Sequence, residues 1–154
     1  MGSSWGTPCT TSIIQIRAGK DLSGEGYANE TQKKTVQEKD VNYTLLDRDE
    51  LPRDGNSYEF VGSQYQDTEI SFVWVDMPPG GTIRLHKHPY KEIFIIQEGE
   101  STFTVGSTTL KAHAGQIIIV PADVPHKFMN SSDKQLKQID IHVNKEFITY
   151  WLED

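Results

Sequence analysis

The amino-acid sequence predicts an all-β fold, a sandwich or barrel of short strands behind a polar N-terminal arm. Three observations carry this. Short apolar segments follow one another at close spacing, separated by Gly, Pro, Asn and Asp, as in sandwiches and barrels. No long segment shows a clean helical period. Two runs, Ile93-Phe94-Ile95-Ile96 and Ile117-Ile118-Ile119-Val120, are apolar on both faces, so both faces need cover: a second sheet on one side, and another sheet, the arm or a second subunit on the other.

Residues 1–40 differ in texture from the rest. Met1-Gly2-Ser3-Ser4 is compatible with a vector-encoded leader, although no histidine run follows. Ser12 to Arg17 (SIIQIR) is long enough for one strand, and Ala18 to Asp40 is polar, with three glycines and the charged stretch ETQKKTVQEKD. This reads as a linker or mobile arm. The alternative is an arm that adds SIIQIR to an exposed sheet edge of its own or a partner subunit.

From Val41 to Asp154 the chain reads as the barrel. After the polar turn region Asp47 to Asn56, strands are expected at residues 57–61, 69–77, 82–88, 92–97, 101–105, 108–112, 116–120, 126–130 and 135–143. Between them lie turn sequences such as Pro78-Pro79-Gly80-Gly81, Glu98-Gly99-Glu100, Gly106-Ser107 and Pro121 to Pro125. Gln138 to Val143 alternates strictly, so one of its faces is polar, and sequence leaves open whether that face lines a cavity or meets solvent. Phe147 to Leu152 (FITYWL) suits a closing strand or a short helical turn.

Composition limits the function classes. The formal net charge is −7 and the pI about 5.2. Such a surface repels phosphate backbones, so nucleic acid and anionic membranes are not expected partners. No apolar run approaches the roughly 20 residues of a membrane span, and the start has no basic n-region of a secretory signal. The single cysteine, Cys9, permits no intramolecular disulfide and is compatible with the cytoplasm. No P-loop or dinucleotide fingerprint occurs.

One constellation carries chemistry. His86 and His88 are two apart on an extended segment, so their side chains leave on one face, and Glu92 has the same parity across the turn at Pro89. His126, after Pro125, opens another strand and can close the set from across a barrel. Three imidazoles and one carboxylate suit a divalent metal with open positions, an arrangement like the facial site of non-haem iron with one more histidine. By the same parity Arg84, Phe94, Ile96 and Phe128 are expected to line a pocket beside the metal. Phe94, Ile96 and Phe128 would form its apolar wall. Arg84 would hold an acidic group of a substrate or pair with a surface acid.

The spacing of these residues resembles a known family. Gly80, His86, His88, Glu92 and Gly99 follow the first cupin motif, and Gly115, Pro121, His126 and Asn130 follow the second. Nine fixed positions, each with a background near one in twenty, make coincidence negligible. One departure is Asp123, where the family usually has glycine; Asp tolerates left-handed geometry better than most residues. The chain over about residues 41–154 is similar to small single-domain conserved-barrel cupins. The resemblance implies a double-stranded β-helix (jelly-roll) barrel, often a homodimer. It also implies that His86, His88, Glu92 and His126 ligate one divalent ion, Fe, Mn, Ni or Zn, per chain. The glycines and Pro121 are expected to form turns, Asn130 to hold a strand end, and His113 to be exposed. His142 is open between a pocket, an interface and a supporting role.

The expected function is therefore metal-dependent chemistry of dioxygenase, isomerase or decarboxylase type on a small polar organic molecule. The alternatives are a module that binds or senses a small molecule without turnover, and a metal with a purely structural role. The catalytic residues beyond the metal ligands are not identifiable from the sequence.

Overall fold

The computed structural model describes residues 43–154; the expectations for residues 1–40, the arm and its SIIQIR strand, lie outside them. Among the described residues, eleven strands form two antiparallel sheets. In chain order they are β1 (Arg53–Asp54), β2 (Ser57–Phe60), β3 (Ser71–Met77), β4 (Thr82–Lys87), β5 (Glu92–Glu98), β6 (Glu100–Val105), β7 (Thr108–His113), β8 (Ile117–Val120), β9 (His126–Asn130), β10 (Leu136–His142) and β11 (Tyr150–Trp151). One sheet has the order β1-β2-β3-β10-β5-β8 and the other β11-β4-β9-β6-β7. This is the all-β jelly-roll architecture expected. Two single 3₁₀ turns, Arg48–Glu50 and Gly62–Gln64, are the helical elements among the described residues, and none is long and apolar enough to cross a membrane.

The nine strands expected from Ser57 onward are present with ends shifted by at most two residues. Two strands were not expected as such. Arg53–Asp54 pairs with Ser57–Tyr58 across Gly55, whose φ of +57° suits a tight hairpin. Tyr150–Trp151 pairs with β4, which settles FITYWL as a closing strand.

Turn chemistry holds the ends in register. Gly99 has φ +84°, and a Cβ there would stand 2.7 Å from the Gln135 carbonyl oxygen; no side chain fits. Asp123 adopts φ +63°, so it takes the left-handed place of glycine. Its N–H donates to the His88 carbonyl at 2.7 Å. Asn130 ties the far end of the barrel: its Nδ2 donates to the carbonyls of Met77 and Lys134, at 2.9 and 2.7 Å.

The inner faces of the two sheets meet in a core of Val75, Met77, Phe94, Ile96, Phe103, Ala112, Val120, Phe128 and Leu136. Phe94, Phe103 and Phe128 pack with ring centroids 5.0 to 5.7 Å apart, the separations aromatic pairs favour. Cross-strand registry sorts the larger sheet into rows. Tyr58, Trp74, Ile139, Ile95 and Ile117 form one row, and Phe60, Phe72, Ile141, Ile93 and Ile119 the other. These rows face away from the core and make the outer surface of that sheet broadly apolar. Ile117 and Ile119, on the edge strand, are each 61% exposed.

Candidate metal centre

Two rows of side chains face each other at one end of the sandwich. In the larger sheet the row is Ser71, His142, Glu92 and Val120. In the smaller sheet it is Trp151, His86, His126 and Val105. His88 follows β4 just beyond its last residue. The fold thus brings His86, His88, Glu92 and His126 together, with one donor atom from each within 4.8 Å of all the others, and all four buried.

The hydrogen bonds around the imidazoles orient them. Nδ1 of His86 lies 2.7 Å from the Arg84 carbonyl, Nδ1 of His88 2.8 Å from that of Ile148, and Nδ1 of His126 2.9 Å from that of Val124. A carbonyl only accepts, so each Nδ1 carries the proton and each Nε2 presents its lone pair inward. There they meet Glu92, whose Oε2 is 2.7 Å from His126 Nε2 and 3.1 Å from His88 Nε2. The latter contact is not aligned as a hydrogen bond, and His88 Nε2 is a buried nitrogen without a hydrogen-bond partner among the described residues. Inward lone pairs on three imidazoles, converging on a carboxylate, repel one another unless a cation lies between them. The donor set therefore fits a divalent metal, with the carbonyl bonds as the supporting contacts that fix tautomer and ring angle.

Electrostatics follow from this crowding. Burial holds the His86 imidazole down at about 4, against the weaker opposing pull of the Arg84 carbonyl. Burial also lowers His88, but the close Glu92 carboxylate outweighs it and raises this group above its ordinary value. Burial would raise Glu92, yet His126 and His88 together bring it well below the usual carboxylate range.

His142 completes the cluster. Its Nε2 is 3.2 Å from Glu92 Oε1, and its Nδ1 is 3.3 Å from the Tyr90 hydroxyl, which in turn accepts the Ile148 N–H at 2.9 Å. His142 thus stands behind Glu92 as a support, on the side away from His126. The signal in the sequence was the strict alternation of β10: Gln138, Asp140 and His142 are its inward, buried face, while Ile139 and Ile141 point outward.

A cavity of about 340 Å³ opens onto the cluster. Its polar lining is His86, His88, Glu92, His142, Asp140, Thr149 and, near β1 and β2, Asp54, Ser57 and Glu59; Val73, Val75, Met77, Ile83, Phe128, Phe147 and Trp151 make the apolar walls. The C-terminal segment supplies Phe147, Thr149 and Trp151, with the Trp151 ring 5.1 Å from that of His86.

Of the four expected pocket residues, Phe128 lines this cavity and the other three do not. Arg84 faces outward, donating to the Glu153 carbonyl at 3.3 Å and lying 4.8 Å from the Trp151 ring. The reason is a bulge. Ile83 pairs with Phe128 and His86 with His126, so three residues of β4 span two of β9, and face parity flips between Ile83 and His86. Phe94 and Ile96 do share the inner face with Glu92, but they are packed into the core beneath the site. His113 is exposed.

Residues 73–142 match the family model described as the cupin domain. Among curated proteins, the chain is 35% identical over 85 residues to H2HPP isomerase of Bacillus subtilis, covering 54% of this chain and 35% of that protein. It is 33% identical over 64 residues to polyketide synthase CurC of Streptomyces cyaneus, covering 41% and 42%. It is 26% identical over 114 residues to auxin-binding protein 4 of Zea mays, covering 66% and 55%. The chain thus spans roughly a third to a half of the length of these relatives. Among solved structures, oxalate decarboxylase of Bacillus subtilis superposes with a TM-score of 0.61 at 22% identity, covering 68% of this chain and 30% of that one. The Lactobacillus farciminis oxalate decarboxylase gives 0.58 at 21%, covering 66% and 32%. At these identities the likeness is one of fold.

Proposed function

We propose that this chain, whose residues 73–142 form a cupin domain, is a divalent-metal-dependent enzyme acting on a small organic molecule held in the cavity. The observation that carries this is the convergence of three buried, inward-facing Nε2 atoms on the Glu92 carboxylate beside an open cavity. His86, His88, Glu92 and His126 would hold one ion, and His142 would steady Glu92. When bound, such an ion polarises a substrate oxygen or activates a ligand in its open position. Val75, Met77 and Phe128 dry the space beside it, which strengthens every charge interaction there.

The relatives named for isomerase and decarboxylase activity support chemistry of those types, with dioxygenase chemistry a third form open to the same ligand set. The Bacillus subtilis oxalate decarboxylase has Mn(II) centres, which makes Mn(II) the first metal to load, before Fe(II), Ni(II) and Zn(II). A second reading, binding without turnover, is favoured by the relative named as an auxin-binding protein. The two separate in one experiment: protein loaded with each metal is incubated aerobically with a panel of small organic molecules. Substrate loss or oxygen uptake with one metal supports the enzyme; saturable binding without either supports the binding module.

We propose in addition a homodimer, formed through the apolar outer rows of the larger sheet, and a cytoplasmic setting, consistent with a lone cysteine.

A further inference from the structure

The lining of the cavity has an unusual charge balance. Asp54, Glu59, Glu92 and Asp140 all border it, and among the described residues no lysine or arginine does. Even with one divalent ion bound, four carboxylates leave the space formally negative. Three residues stand in one cross-strand row on the inner face: Glu59 opposite Val73, and Val73 opposite Asp140. Acid therefore runs from the rim into the interior.

Asp140 is the unexplained member. It is 4% exposed, and its side chain has one hydrogen bond among the described residues, from Gln138 Nε2 to Oδ1 at 2.8 Å. The oxygen of that same glutamine is buried without a partner among the described residues. A buried carboxylate with one neutral donor is costly to keep, and burial together with the charge of Glu92 raises this carboxyl well above its ordinary value. It lies two residues from His142 on the same face of β10, about 7 Å along the strand. A ligand reaching the metal ligands also reaches Asp140.

We infer that the cavity selects a small molecule with an apolar body and a protonated amine, that Asp140 receives the amine, and that carboxylates of the same skeleton are rejected. The apolar body fits against Val73, Val75, Met77 and Phe128. Phe147 and Trp151 offer aromatic faces to which an ammonium is attracted. An anionic ligand meets three acids beyond Glu92 with no lysine or arginine among the described residues to offset them, which is a repulsive form of specificity. Asp140 is then the specificity-determining residue and Glu59 its aid at the rim. This deepens the proposed function, since it rests on the cavity being the ligand site.

The test uses the full chain, zinc-loaded and metal-free, near neutral pH. Dissociation constants are measured by calorimetry or ligand-observed NMR for benzylamine and benzoate, which differ in charge on one skeleton. Benzylamine is expected to bind about tenfold or more tightly than benzoate, and Asp140→Asn to narrow the ratio to about threefold or less. Glu59→Gln, at the half-buried rim, narrows it by a smaller factor and decides the matter if Asp140→Asn does not fold. Equal or tighter binding of benzoate, no binding of either probe, or a preference that survives in every folded variant overturns the inference. Zinc content of the same samples judges the metal site separately: an amine preference without zinc binding contradicts the proposed metal centre and leaves the charge selectivity standing.

Discussion

His126 Nε2 lies 2.7 Å from Glu92 Oε2, and both side chains are buried. Nδ1 of the same imidazole already donates to the Val124 carbonyl. The short contact therefore joins two acceptors unless a proton or a metal ion lies between them. The same applies, less closely, to His88. A cluster built in this way exchanges protons for metal, so loading a divalent ion at constant pH releases protons to the medium. Titration of weakly buffered protein with Zn(II) should show this release, saturating at the same ratio as binding; zinc uptake without proton release would contradict the description of the contact.

In the proposed metal centre, His142 and Tyr90 would act on the metal through Glu92. His142 Nε2 stands 3.2 Å from Glu92 Oε1, and the Tyr90 hydroxyl is 3.3 Å from His142 Nδ1. His142→Ala is expected to weaken metal affinity about 10- to 100-fold without abolishing stoichiometric binding. Tyr90→Phe should have a smaller effect of the same sign. Competition with a chromogenic chelator measures both. Unchanged affinity in His142→Ala would remove the supporting role.

Acid should destabilise the metal-free protein. Burial, as the leading cause, holds His86 and His142 down at about 4. As the pH falls from the ordinary histidine value toward 4, the unfolded chain takes up protons that the folded chain refuses, so stability is lost. The loss is on the order of 3 kcal/mol for each fully shifted group. Glu92, lowered by its histidines, loses its contribution at still lower pH. The raised His88 opposes the trend, since its contribution is present below its unfolded value and lost as pH rises. Urea midpoints of metal-free protein near neutrality and about two pH units lower should show a clear drop, and a higher midpoint in acid would be the contrary result.

Asp140 costs stability where it ionises. Its raised carboxyl contributes stability while protonated and loses it as pH rises through the raised value. Asp140→Asn removes the charge and keeps a polar group beside Gln138. Thermal melting of the variant should lie a few degrees above that of the parent at mildly alkaline pH, with the gap closing in acid. A lower melting point at both would mean that the carboxylate is held by more than Gln138.

The proposed homodimer would bury the apolar outer rows of the larger sheet. Ile117 and Ile119 are each 61% exposed on its edge strand, beside Ile93 and Ile95 of the neighbouring strand. Sedimentation at micromolar concentration should give twice the chain mass of 17.4 kDa, and Ile117→Lys with Ile119→Lys should shift it toward one chain. A wild-type mass of one chain would contradict the dimer.

Much of the fold was legible because turn residues mark nearly every strand end. The spacing of His86, His88, Glu92 and His126 likewise named the side chains that the fold brings together. Arg84 was misplaced because face parity assumes an unbroken strand, and the bulge before His86 leaves no mark in composition. β10 was legible as alternating but not as oriented. The usual rule sends isoleucine inward, and here Ile139 and Ile141 face out while Gln138, Asp140 and His142 face in, where the chemistry is. The share of Phe147, Thr149 and Trp151 in the cavity depends on β11 pairing with β4, a contact between residues about 65 apart that no local pattern encodes.

The most direct test of the account is metal content. Untagged full-length protein, loaded with Mn(II) or Zn(II) and desalted, should carry about one ion per chain by elemental analysis. The His86→Ala, His126→Ala double variant, verified as folded by circular dichroism, should carry almost none. Full occupancy in that variant, or no binding by the parent, would contradict the metal centre and the function built on it.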